Sequence, residues 1–294
     1  MTGKYSIRDL EKLSGIKAHT IRIWELRYGL LTPSRTDTNI RHYSNDDLRK
    51  LLNVSSLINK GMKISNISKL SSKQIQEEIS VDQNVESPIE NFLPTAQNAL
   101  MFALFEFDEE IFNKAFSLAV LKLGFVEALY KVLYPLLNKI GFLWNSGEIF
   151  PAQEHFITNL VKQKIFSATD SLLLNTDKKD TFILFLPEGE LHEIGLLLTN
   201  YLLRSMGKHT IFLGQGVPLD NVIATYKATN AKNLLLFIIT PSNQKEITTY
   251  LQKLSVGCNN AIIYISGNNN LLDKIKLASN FVRLKSPEDL KLIK

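Results

Sequence analysis

The chain has 294 residues, 45% hydrophobic and 21% charged, with a mean hydropathy near zero, which excludes a disordered chain and sets an expectation of two or three domains at about 100–150 residues each. No apolar run approaches the roughly 18 residues of a membrane span, the N-terminus has no apolar signal stretch, and the single Cys258 excludes an intrachain disulfide or a thiolate cluster, so a cytoplasmic protein without membrane contact is expected. Of 34 basic and 29 acidic residues, 12 and 6 fall in residues 1–65, leaving 22 and 23 for the remainder; the first fifth thus holds all the excess positive charge, as either a polyanion-binding surface or a merely solvated basic face.

In chain order, SIRDLEKLSGIKAHTIRIWELRYGLL reads as two short helices, 6–13 and 17–27, broken at Gly15. Ile7, Leu10, Leu13, Ile16, Ile21 and Trp24 fall on a shared inner face. Lys17, His19, Thr20 and Arg22 are left at the outward end of the second helix, where a helix-turn-helix meets base edges. A two-helix corner also occurs in proteins that never touch DNA. The turn-rich PSRTDTNIRHYSNDDLRKL follows, bearing Arg35, Asn39, Arg41 and Tyr43 before another helix. Guanidiniums there suit phosphates, and the Tyr43 hydroxyl suits the DNA backbone. Core packing is the competing reading for Tyr43 and the preferred one for Trp24.

Tyr5-Ser6, the TIRxWE run at Thr20–Glu25, RYGLL at Arg27–Leu31 and the R-x3-N-x-R-x-Y spacing of Arg35, Asn39, Arg41 and Tyr43 closely resemble the winged-helix domain of the MerR family, placing a DNA-binding domain at 1–72. Its metal-sensing members continue into one long coiled-coil helix and a cysteine-bearing loop, and this sequence has neither.

Residues 73–93 are polar and aperiodic and read as a linker. Over 94–177, apolar residues recur at three- and four-residue spacing, as in FVEALYKVLYPLLNKIGFLW, implying a helical bundle. It contains Trp144, nine intervening residues, then Glu154-His155, which by itself is equally a core tryptophan with a surface pair. From 178 to 294 the pattern changes to short apolar runs at 182–187, 210–214, 233–239, 261–266 and 280–284, separated by helical stretches. Such alternation implies an α/β Rossmann-like, flavodoxin-like parallel sheet. The expected whole is multidomain: an all-α winged helix-turn-helix, a central bundle and a C-terminal doubly wound sheet.

The first of these runs leads into Glu190-Leu191-His192-Glu193-Ile194-Gly195, at the carboxyl end of a strand, where doubly wound sheets bind ligands. The E-x-H-x2-G pattern, a long apolar helix and then LGQGVP with Gly214 and Val217 resemble the cobalamin-binding domain of B12-dependent enzymes and regulators. That resemblance implies His192 as the cobalt ligand and Glu190 as the carboxylate orienting its other ring nitrogen, chemistry that suits an imidazole donor.

Together the three blocks resemble the CarH/LitR-type cobalamin-dependent repressors over nearly the whole chain. The resemblance implies a palindromic double-stranded DNA operator, a homo-oligomer (dimer or tetramer), and adenosylcobalamin capped by Trp144, Glu154 and His155. It also implies dark assembly that light dissolves. Three positions depart from the pattern. The Ser-x-Leu/Thr element reads Ile238-Ile239-Thr240, with Thr240 and Ser242 as substitutes for its serine; the Gly-Gly that approaches the nucleotide tail reads Gly267-Asn268; and the histidine common after the bundle tryptophan is Asn145. The first two bear on tail binding and the third on photoreception. A cobalamin-independent regulator answering to an antirepressor protein, and a corrinoid-carrying methyl-transfer module, are the alternatives; a basic winged helix has no role in the second.

Overall fold

Ser6 starts the first helix by accepting a hydrogen bond from the Asp9 amide, while the Asp9 carboxylate accepts from the Ser6 amide at 2.8 Å. This reciprocal cap fixes α1 at Ile7–Ser14. Gly15, at φ 75°, ends it in the left-handed region that lets the chain turn sharply into α2, Ala18–Tyr28. In this computed structural model, residues 5–36, 39–71, 73–75, 78, 89–145, 149–240, 243–286 and 289 are described. They fall into two compact units, 1–160 and 161–294.

In the first unit, Leu10, Leu13 and Ile21 are fully buried and Trp24 nearly so, with Leu48, Leu51 and Leu52 of α3 (Asn45–Asn59) completing the core. Ile7 and Ile16 are only half buried, because one opens α1 and the other sits on the turn. The wing is a two-stranded antiparallel pair, β1 (Ser34–Arg35) and β2 (Arg41–His42). Tyr5 and Tyr43 tie it to the N-terminus through two amide-carbonyl bonds of 2.9 Å. A short α4 follows at Ile64–Ile67.

The bundle begins with α5, Ile89–Glu106, which starts inside the stretch expected to be linker. The reason is Phe92, 7% exposed, which extends the bundle's buried face two residues ahead of Pro94. Next come α6 (Glu109–Leu123), α7 (Phe125–Ala128), a π-helical turn (Leu129–Leu133), α8 (Tyr134–Asn145) and α9 (Pro151–Asp170). Leu100, Phe112, Phe116, Leu136, Leu143 and Ile157 fill the core. The winged helix is joined to this bundle: α3 packs on α5, and Arg49 forms an ion pair with Glu106 at 2.7 Å.

The second unit holds β3 (Thr181–Pro187), α10 (Ile194–Ser205), β4 (His209–Val217), α11 (Leu219–Thr229), β5 (Asn233–Ile238), α12 (Gln244–Gly257), β6 (Ile262–Gly267), α13 (Asn269–Leu272) and β7 (Phe281–Arg283). The strands form one parallel sheet in the order β4-β3-β5-β6-β7. Every residue of β3 is buried, as expected of a strand covered on both faces. The chain steps outward from β3 to β4 and then crosses back past β3 to β5, so the carboxyl ends of β3 and β5 define the switch point at which such sheets bind ligands. No helix among the described residues is long and apolar enough to cross a membrane.

Candidate functional site

The loop that leaves β3 is built around a buried carboxylate. Glu190 is 4% exposed and accepts hydrogen bonds from the backbone amides of Ile239 and Thr240, both at 2.7 Å, just past the end of β5. The Thr240 hydroxyl donates to its other oxygen at 3.0 Å, and so does the His192 amide. Glu190 thus clasps the switch point, pinning the β3 loop to the end of β5. Burial alone would raise its pKa, but the hydrogen bonds from His192, Thr240 and Ile239 outweigh burial and hold it down to about 2.

An ionised carboxylate can only accept, and this fixes the neighbouring histidine. Nδ1 of His192 lies 2.6 Å from Glu190 Oε1 and 3.3 Å from the Thr240 hydroxyl. Nδ1 therefore carries the proton, and in the neutral ring the lone pair belongs to Nε2. The imidazole is 59% exposed, while its carboxylate is buried. An imidazole whose second nitrogen is backed by a hydrogen-bonded carboxylate could hold a metal, and its donor chemistry suits the cobalt of a corrin.

The structure brings Glu190, His192 and Thr240 together. Gly195 lies behind them in the first turn of α10, where an added Cβ would come within 3.2 Å of the Phe237 ring. Gly267 pairs with Ile238 across β5 and β6. Gly214 and Val217 belong to β4, on the far side of β3, paired with Phe185 and Pro187. Ser242 lies outside the described residues, so of the two hydroxyls expected to replace the missing serine, Thr240 is the one placed, and it serves Glu190. Asn268 caps α13 by accepting from the Leu271 amide. In the first unit, Trp144 is 44% exposed at the end of α8. His155 Nδ1 sits 2.8 Å from Glu154 Oε2 on the first turns of α9, with the imidazole 69% exposed. A core tryptophan is thereby excluded.

On the winged helix, Lys17, His19 and Arg22 are exposed and Thr20 is half buried. Lys17 pairs with Glu11 at 3.2 Å. Arg35 stays exposed and donates to Asn39 Oδ1 at 2.6 Å across the wing tip. Arg41 and Tyr43 are both engaged with α2. Arg41 Nε donates to Glu25 Oε1, and the Tyr43 hydroxyl donates to Glu25 Oε2, each at 3.1 Å. Tyr43 is 1% exposed, and burial and Glu25 push its hydroxyl pKa well up. Both side chains are engaged in bracing the wing against α2, with Glu25 as the brace, a residue the sequence presents only as part of a motif. An acidic side chain on an otherwise basic helix is the signal that points to it.

With this geometry in view, residues 5–74 match the MerR HTH family regulatory protein family, and residues 96–166 match the B12 binding domain family. The HTH-type transcriptional repressor CarH of Myxococcus xanthus is 30% identical over 221 residues, covering 74% of this chain and 73% of that protein. The chain belongs to the CarH family of MerR-type regulators. The HTH-type transcriptional repressor CarA of the same organism is 26% identical, covering 72% of this chain and 68% of that one. Among solved structures, the monomethylamine corrinoid protein of Methanosarcina barkeri superposes with a TM-score of 0.54 at 16% identity, covering 67% of this chain and 96% of that one, which establishes a shared fold. This CarH-family chain is accordingly a transcriptional regulator with an N-terminal DNA-binding domain and a B12-binding region.

Proposed function

We propose that the protein represses transcription by binding a palindromic operator through its winged helix as a homo-oligomer, with adenosylcobalamin controlling that assembly in the cytoplasm. The observation that carries this reading is the Glu190–His192 pair at the switch point, which leaves Nε2 as the donor nitrogen on an exposed ring. In this reading His192 would hold the cobalt, Glu190 fixes its tautomer, and Thr240 and the Ile239 amide hold Glu190. Gly195, Gly214, Val217, Thr240, Ser242 and Gly267 would border the cofactor, and Trp144 with the Glu154–His155 pair would face its adenosyl group. Bound adenosylcobalamin would supply a light-sensitive cobalt–carbon bond, and the protein would then act as a photoreceptor. Lys17, His19, Thr20 and Arg22 face the operator, and Arg35 and Asn39 reach its backbone from the wing. Arg41 and Tyr43 keep the wing in place.

The test is an absorbance spectrum of the full chain mixed with adenosylcobalamin in darkness and desalted, before and after green light, beside His192→Ala. Retained cobalamin whose spectrum changes in the variant is expected, and a further change on illumination establishes photoreception. A chain that retains no cobalamin overturns the cofactor reading and turns the search to an antirepressor protein.

A further inference from the structure

The solvent face of α2 is not the polar stripe expected of a surface helix. Its buried side is Ile21 and Trp24. On the opposite side, His19, then Arg22 and Ile23, then Leu26 lie on successive turns, three or four residues apart, and are all exposed. Ile23 is 46% and Leu26 87% accessible, so an isoleucine and a leucine one turn apart lie in water on the helix that carries the DNA-facing residues. Among the described residues their aliphatic surface stays uncovered, and the winged-helix core is closed by other side chains. The same helix exposes Arg22 and Arg27, with Lys17 at its start and Arg35 exposed on the wing, so the face suits a polyanion that also offers apolar groups. Duplex DNA is such a polyanion: its major groove displays the C5-methyl of thymine, the apolar group on a base edge. From His19 to Leu26 the stripe runs about 10 Å along the helix, close to the width of the groove at about 12 Å.

We propose that Ile23 and Leu26 read thymine methyl groups, so that each operator half-site contains thymines at the positions these side chains reach, beside the bases met by His19 and Arg22. The inference rests on the DNA-binding reading above and adds the chemical feature that the helix selects.

A duplex is first selected from a randomised pool by the full-length protein. Each thymine is then replaced in turn by deoxyuridine, which removes one methyl and keeps base pairing. Binding is measured for the wild type, Ile23→Ala and Leu26→Ala; alanine preserves an exposed helix. The wild type is expected to lose about fourfold in affinity at one or two thymines in each half-site, the worth of one buried methyl-sized group. Each variant is expected to bind the thymine duplex several-fold more weakly and to be indifferent to uracil at the position it serves. Wild-type binding unaffected by every uracil, or variants that keep the full uracil penalty, overturns the proposal. So does a change in sedimentation of Leu26→Ala with unchanged DNA affinity, which makes the face a protein contact. A wild type that selects no duplex overturns the DNA-binding reading itself, a result distinct from these.

Discussion

Glu190 is the residue on which the β3 loop depends. It satisfies two backbone amides at the end of β5 and holds the ring of His192, and glutamine in its place would keep one accepting oxygen but lose the charge that strengthens these bonds. Because its folded pKa, about 2, lies below its ordinary value of 4.5, the stability it contributes is fully present above about pH 4.5 and is lost as the pH falls toward 2. Glu190→Gln is therefore expected to cost about 2 kcal/mol at pH 7, the value of charge-assisted hydrogen bonds. Wild type and variant should converge in acid. Hydrogen exchange of the Ile239 and Thr240 amides measures this; a gap that persists unchanged at pH 2 contradicts it. At this scale His192 and Glu190 were legible because the chemistry sits within three residues. Glu25 was not, because its partners lie 16 and 18 residues away and meet it only once the wing folds back.

Strand β6 shows how an element can depend on one missing methyl. Gly267 has φ 133°, and a Cβ built there would stand 2.0 Å from the Ile238 carbonyl oxygen, a backbone atom that cannot step aside. Gly267→Ala should destabilise the C-terminal unit by roughly 2–4 kcal/mol, from strain and overpacking together. Gly195→Ala meets the Phe237 side chain at 3.2 Å, and a ring can yield; it should cost less than half as much. Urea unfolding followed by exchange of β5 and β6 amides ranks the two, and the reverse order would show that the Ile238 carbonyl moves freely. The glycine's presence was legible, but the reason for it was not, since only the register of β5 against β6 brings Ile238 opposite. The strands themselves were readable within one or two residues, because fully covered parallel strands are continuous apolar runs. β4 is the exception. It continues past Gly214 to Val217 with two register shifts against β3, an irregularity no periodicity announces.

Across the whole molecule, the basic excess of the first 65 residues divides between outward and inward use. Lys17, Arg22, Arg27 and Arg35 are exposed. Others are engaged inside the N-terminal unit: Lys12 holds its ammonium 3.6 Å from the centre of the Phe142 ring, Arg49 pairs with Glu106, and Arg41 pairs with Glu25. From the bundle side, Lys139 returns a contact, donating to the Leu13 carbonyl at 3.2 Å near the carboxyl end of α1, where a cation is favoured by the helix dipole. Burial lowers the Lys139 pKa, so the ammonium is held in place against a desolvation cost. α8 therefore presents Lys139 and Phe142 to α1 and carries Trp144, two residues further along, just before its last residue, Asn145. Charge counting could not separate these roles, since an arginine braced against a carboxylate and one facing water look alike in sequence. The consequence is that the winged helix and the bundle open together. In the wild type, amides of α1 and of α8 should exchange at a common free energy. In Arg49→Ala/Lys139→Ala, each change removing about 1 kcal/mol, those of α1 should open first while α8 keeps its protection. Unaltered exchange of α1 in the double variant would mean that the α3–α5 packing alone unites them, and that the charged contacts carry none of the coupling.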